Sequence, residues 1–397
     1  MQLRIIPIVV LILVSALPAA AQVSTDQFRQ LLQDRAGLEK NDISMLDSGG
    51  IVVKLLPIND KREVAIVGVV HLRRTTEMTM NAFRTAFAPE NNKAVISAGK
   101  FSSPPLTDDL MTLKFESKDI EELKKCKAGN CDLKLSADMI NRARSEIDWN
   151  GADYQARASE LLLAILIDYT RDYLSRGDKA LIQIDSRAIP IRLADEHRAL
   201  LESSPFVKEL VPELRKYLTD YPSYKLSGLD DQLFWSKVNF GIKPIVTITQ
   251  SVYYSKQFGE LPQFALATKQ IFATRYLESS LAFGFWLNLK NIDSMDSYLV
   301  FTNLTRSDAL TGALGGFKRT VAEGEAKSRV SEILRQARIR LEPVATNDDS
   351  QSSGSDDTGP FGHDPLLINR LVAVLSAVSI VIIIALIFYR ISRRRRA

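Results

Sequence analysis

Two cysteines, three histidines and one strand carrying two cations are the residues whose types and spacing could do chemistry. Cys126 and Cys131 flank Lys127-Ala128-Gly129-Asn130. Gly and Asn tolerate the positive φ of a tight turn, so the spacing predicts a short local disulfide in an oxidising compartment. A redox-active pair would be expected as C-x-x-C in a βαβ setting, and that pattern is absent. A zinc site would need two more ligands, and no histidine stands near in sequence. His71, His197 and His363 fit no H-E-x-x-H or other metal spacing. A meeting of His71 with His197 in space is the one histidine arrangement left open.

Serine-hydrolase and phosphate-cradling motifs are missing: there is no G-x-S-x-G and no Walker loop. Glu121-Glu122 and Asp230-Asp231 are carboxylates at i,i+1, which point apart on a regular element and read as solvated. No residue set implies a catalytic centre, a metal or a cofactor. One candidate binding feature remains. Ala265, Ala267, Lys269, Ile271, Ala273, Arg275 and Leu277 occupy alternate positions of a strand. Small residues beside Lys269 and Arg275 would suit an anionic headgroup at a cavity mouth. The competing expectation is a solvated outer face, where strand charges usually lie.

The elements that would position these residues can be read from periodicity. Thr25-Asp26 offers a cap for a helix through Leu31 and Leu32. Ile51 to Leu56 and Glu63 to Arg73 read as a hairpin, and Thr75 or Thr76 can cap a helix through Phe87. Residues 93–98 and 109–115 read as short strands. The middle is helical: 118–125, a helix capped by Ser136, Tyr154 to Leu174, and one or two helices between Glu196 and Leu218 broken near Pro205 and Pro212. The period then changes from 3.6 to 2. Strands are predicted over 245–254, 264–277, 279–289 and 298–305, forming an antiparallel meander, with a long helix from about Asp308 to Leu341. The fold class is therefore α+β, an antiparallel meander packed with a long C-terminal helix, with a helical middle region.

Targeting segments flank this body. Arg4, the apolar run Ile5 to Val14 and Ala19-Ala20-Ala21 read as a signal peptide over 1–21. The body spans 22–343. Residues 344–365, rich in Ser, Asp and Gly, read as a disordered tether with a mean reach of about 25 Å. Leu371 to Tyr389 is uncharged and matches the roughly 30 Å core of a bilayer, giving a transmembrane helix within 366–390. Arg390 and the arginines of the basic tail, 391–397, predict a cytoplasmic C-terminus. Setting aside Arg4, Arg370, Arg390 and Arg393 to Arg396, the chain holds 44 basic against 47 acidic residues. The basic balance is thus a topology signal, and no basic stripe suggests nucleic acid.

The segment from Asp119 to Leu135, with Leu123-Lys124-Lys125-Cys126 and Cys131-Asp132-Leu133-Lys134-Leu135, resembles one recurring in uncharacterised exported bacterial proteins. Such a resemblance implies a compartment, not an activity. The element order over 230–341 is similar to the START-like helix-grip fold, with a contribution from 51–115, although the helical middle departs from it. That similarity implies a cavity between strands and helix. The expected function is a membrane-tethered extracytoplasmic binding protein, on a bacterial inner membrane, for a lipid or other amphiphile. An envelope scaffold without a small-molecule ligand, and a hydrolase with a noncontiguous site, are the alternatives.

Overall fold

The computed structural model describes residues 24–72, 79–86, 95–239, 243–258, 261–290, 295–312 and 315–342. The predicted signal peptide, tether, transmembrane helix and basic tail lie outside them, as does the expected helix cap at Thr75 or Thr76. Among the described residues no helix is long and apolar enough to cross a membrane.

The chain opens with α1 (Thr25–Ala36) and α2 (Lys40–Asp47). Ser24, rather than Thr25 or Asp26, caps α1 by accepting from the Gln27 amide at 3.2 Å, and the Gln27 side chain reciprocates. Then come β1 (Ile51–Leu55), β2 (Glu63–Leu72), α3 (Met80–Ala86) and β3 (Val95–Lys100). The helical middle comprises α4 (Ser117–Lys125), α5 (Ala137–Glu146) and α6 (Tyr154–Arg176). After the two-residue strands β4 (Gln183–Ile184) and β5 (Ile191–Arg192) it continues as α7 (Leu193–Ser203), α8 (Val207–Leu210) and α9 (Pro212–Asp220). Pro212 starts α9 because its missing N–H costs nothing at the first helical position. The expected strand at 109–115 is instead a 3₁₀ turn, Thr107–Leu110, followed by irregular chain. Its Leu110 and Leu113 are buried among the helices of the middle region.

The last third holds β6 (Leu229–Val238), β7 (Ile245–Phe258), β8 (Leu261–Ala273), β9 (Ser279–Lys290) and β10 (Met295–Arg306), then α10 (Gly315–Leu341). A short 3₁₀ turn, Asp308–Leu310, precedes α10, so the long helix starts later than Asp308. The strands form one antiparallel sheet in the order β1-β2-β10-β9-β8-β7-β6-β3. The meander is one strand longer than its periodicity predicts. Strand β6 escapes that reading because Asp230-Asp231 sits at its start, and aspartate is depleted in strands.

Both faces of the sheet are covered. On the outer face the helices α1, α2 and α7–α9 pack against residues such as Val67, Ala267 and Phe283, and α4–α6 pack against Trp235, Ile248 and Phe272. On the inner face α10 lies along β1 and β2 through Val330 and Leu334. Gly68 makes this approach possible: a Cβ there would stand 2.4 Å from Val330 and 2.6 Å from Leu334. Ala322, Ala326, Val330, Leu334, Ala337 and Leu341 form the buried stripe of α10, at helical spacing.

Cys126 and Cys131 form the expected disulfide at the end of α4, both buried. Gly129 takes φ 82° within the loop, and Lys127 and Asn130 pair across it. The Cys126→Ser, Cys131→Ser double variant is expected to lose on the order of 1–3 kcal/mol, because so short a loop removes little denatured-state entropy. Urea denaturation would measure this, and a loss above about 5 kcal/mol would mean the bridge holds more than its own turn.

Candidate functional site: the inner face of the sheet

Register assigns the side chains. Asp231, Gln250, Lys269, Leu281, Leu304 and Ala65 lie on the outer face. Their neighbours along each strand point to the inner face, which α10 covers over β1 and β2 and α3 at its aromatic part. Near the end of β7 and the start of β10 this inner face is apolar and aromatic. Phe83 of α3 stacks on Phe264 with ring centroids 5.7 Å apart, and Arg84 lies 4.6 Å over the Tyr253 ring while pairing with Asp230. Trp286, Leu299 and Phe301 belong to the same cluster.

Further along the strands the inner face turns polar. Thr247, Thr249 and Ser251 of β7 stand beside Thr268 and Gln270 of β8, Ser280 of β9, and Asn303 and Thr305 of β10, all buried. Some of these groups satisfy one another. Ser236 and Thr247 hydroxyls are 2.8 Å apart, as are Ser280 and Thr305, and Thr305 donates to Asn303 Oδ1 at 3.0 Å. Others have no partner: Thr249 Oγ1, Ser251 Oγ, both amide atoms of Gln270, Asn303 Nδ2, Tyr253 OH and Trp286 Nε1. Buried polar groups are paired in the great majority of cases, and each orphan costs about 1–3 kcal/mol. Seven such atoms lie on this one sheet face. Among the described residues, none in this polar part is charged. It offers hydroxyls and neutral amides beside an aromatic floor, a lining suited to an uncharged ligand with one polar and one apolar end.

The residues singled out in the sequence lie elsewhere. Lys269 is on the outer face, 3% exposed, with its ammonium held by Asp178 and 5.7 Å from the Tyr173 ring. Burial lowers its pKa and Asp178 opposes that shift. Tyr173 donates to Gln250 Oε1 at 2.5 Å, Gln250 donates to Asp231 at 2.6 Å, and Tyr217 donates to the same carboxylate at 2.5 Å. Burial raises the Asp231 pKa. Arg275 does not share the face of Lys269. A bulge in β8 opposite Ile248/Thr249 shifts the register, and the strand ends at Ala273. Arg275 sits in the following turn, 3% exposed, paired with Asp119 and Glu122. Neither cation is on a solvated face, and the room expected beside Ala265 and Ala267 is filled by the helices of the outer layer. The acidic pairs are half-buried and partnered rather than freely solvated. Glu121 accepts from Tyr154 at 2.5 Å, Glu122 pairs with Arg275 and Lys243, and Asp230 with Arg84.

His71 and His197 are not brought together. His71 stacks on Tyr298 at 4.7 Å, near one end of β2. His197 is buried close to Arg306, which pairs with Glu63 at the other end of that strand, about 26 Å away at 3.3 Å per residue. Among the described residues no group of three or more His, Cys, Asp or Glu is placed to hold a metal. No family model, curated protein or solved structure matches this chain.

Proposed function

We propose that the protein is a membrane-tethered extracytoplasmic binding protein whose ligand is an uncharged amphiphile held on the inner face of the sheet. The observation that supports this reading is the cluster of orphaned atoms on Thr249, Ser251, Gln270 and Asn303, next to the aromatic set Tyr253, Phe264 and Trp286. Neutral donors and acceptors would meet the polar end of the ligand, and the aromatic rings its apolar end. The topology part of the reading rests on the apolar run 371–389 and the arginines after it. It extends the helix-grip expectation, in which a long helix closes over an antiparallel sheet. A ligand on the outer face is less well supported. The apolar slot there, between Leu133, Leu162, Ile165 and Phe272, has a volume of about 20 Å³, room for a water and not for an acyl chain.

The test is chemical. Full-length protein extracted in mild detergent would be examined by native mass spectrometry, with and without organic extraction, beside Gln270→Leu and Thr249→Val. Wild type is expected to carry a stoichiometric uncharged molecule, reduced at least tenfold in Gln270→Leu. Thr249→Val gives a second sign. If the hydroxyl meets a ligand, valine destabilises the loaded protein. If nothing meets it, valine stabilises by about 1 kcal/mol, because a buried unpaired group has been removed. An empty wild type together with a stabilised Thr249→Val would overturn the proposal.

A further inference from the structure

A second concave surface lies away from the inner face, and its charges follow a different logic. It is a groove of about 530 Å³ walled by the disulfide loop, the turn between β8 and β9, and the start of α10. Five cations line it: Lys134, Arg187, Lys243, Arg275 and Lys318. Asp132 and Asp308 are the carboxylates on its wall. Asp119 and Glu122 stand behind Arg275 and Lys243. Tyr276, also on the wall, is the only non-glycine residue with positive φ among the described residues, at 58°, and its carbonyl is held by Ser307 at 2.6 Å. A strained backbone kept in place by neighbouring contacts is a frequent mark of a binding turn.

Beneath the groove lies Glu278, with a fully buried side chain. Oε2 accepts from Arg62 at 2.9 Å. Oε1 has no hydrogen-bond partner, and the ammonium of Lys134, itself donating to Asp308 at 3.2 Å, stands 4.0 Å from it. Glu278 thus shares one cation with the groove and keeps one oxygen available for a proton. The other charged groups acting on it are Asp308 and Glu196, both negative, and Glu196 is tied to Arg62 and Arg306.

We propose that this groove binds a tetrahedral oxyanion of the phosphate-ester class, and that the anion competes with ionised Glu278 for Lys134. With Glu278 ionised, its Oε1 stands 4.0 Å from the Lys134 ammonium and draws that cation away from the groove. With Glu278 protonated on Oε1, that attraction is lost and Lys134 turns to the anion. Burial, with Asp308 and Glu196 adding to it against Lys134 and Arg62, pushes the Glu278 pKa up to about 7. The exchange therefore falls where small pH changes matter. The same chemistry could come from a soluble phosphate ester or a lipid headgroup. Helix α10 runs about 35 Å from Lys318 at the groove to Leu341, after which the proposed membrane segment follows in sequence, and this favours the soluble source.

The probe is sulfate, a dianion across the whole pH range used, titrated by calorimetry into the full chain in detergent. Sulfate is expected to bind about tenfold or more tightly at pH 6 than at pH 8. Near pH 7.5 binding should take up about three-quarters of a proton, read from the heats in two buffers of different ionisation enthalpy. Glu278→Gln, nearly isosteric, should bind at both pH values with the pH 6 affinity of wild type and take up no proton. A parallel arm uses vesicles of phosphatidylcholine with or without phosphatidate. Vesicle binding through the groove would assign the anion to a lipid headgroup, and binding of free sulfate alone would assign it to a soluble ester. Sulfate binding without proton uptake, an unchanged pH dependence in Glu278→Gln, or no sulfate binding at pH 6 would overturn the proposal. Because the groove is separate from the inner face, these results stand whatever the fate of the amphiphile reading.

Discussion

Acidification from pH 6.5 to pH 3 is expected to remove about 4 kcal/mol of stability through His197 alone. His197 lies on α7, fully buried against the outer face, and neither ring nitrogen meets a partner in hydrogen-bonding geometry. Burial, reinforced by the nearby charges of Lys269 and Arg306 and opposed by the Gln270 backbone, lowers its pKa from 6.5 to about 3. Between those values the unfolded chain binds a proton that the folded chain refuses. Stability from this group is therefore complete above pH 6.5 and falls as pH drops, until the folded imidazole charges near pH 3. Glu278 acts in the opposite direction. Its pKa rises from 4.5 to about 7, so the folded chain holds the extra proton, and stability falls by about 3 kcal/mol as pH rises through that interval. The two windows overlap, and the wild-type profile will be flatter than either effect alone.

Variants separate them. His197→Leu removes the acid-labile group without leaving an unpaired polar atom. Urea denaturation at half-unit steps from pH 3.5 to 7.5 should show wild type losing stability relative to His197→Leu as the pH falls. Glu278→Gln should lose the stabilisation on the acid side that its carboxyl provides. Parallel curves for wild type and His197→Leu would mean that the imidazole is solvated or paired in solution.

How far the sequence reveals this structure depends on what each residue touches. The meander is readable because Leu281, Phe283, Phe285, Leu287 and Leu289 alternate strictly, and they do line one face of β9. The opposite positions, Ala282, Gly284, Trp286 and Asn288, read equally well as a second face, and periodicity cannot say what covers it. In β7 the pattern Val246-Thr247-Ile248-Thr249 is the signature of a strand with one wet side. Here both sides are dry, the threonines of β7 being buried as deeply as its apolar residues, so the candidate site sits where the sequence suggests solvent.

Charge is harder to read than apolar pattern. Lys269 and Arg275 stand out among alanines as cations in need of an anion, and each does hold one. Their anions are supplied by Asp178, 91 residues away, and by Asp119, 156 residues away. No local rule reaches such distances. The bulge in β8 carries no Gly or Pro signal either, and by itself it removes the shared face of the two cations. The isolated signal that could have exposed the inner site is the density of Thr, Ser and Gln within β7 and β8. It becomes informative only once α10 is known to lie on that side.

Arg275→Met should be the most destabilising single change around the groove, at about 3–5 kcal/mol. The guanidinium is 3% exposed and is shared between Asp119 and Glu122 on α4, binding that helix to the turn after β8. Removing it does not simply delete an interaction. It leaves two part-buried carboxylates whose remaining partners are the Glu116 amide, which donates to Asp119 at 3.1 Å, and Lys243, which pairs with Glu122. The cost is therefore mainly unpaired negative charge, and neutralising that charge should return much of it. Arg275→Met with Asp119→Asn is expected to recover at least about 1 kcal/mol relative to the single variant, although Asp119→Asn alone should destabilise, and this reversal of sign is the diagnostic. The measurement is urea denaturation of all three variants at pH 7, with far-ultraviolet circular dichroism to confirm that helix content survives. A single-variant loss below about 1 kcal/mol would place Arg275 in water. Additive losses in the double variant would show that Arg275 contributes by packing its stem rather than by holding the two carboxylates.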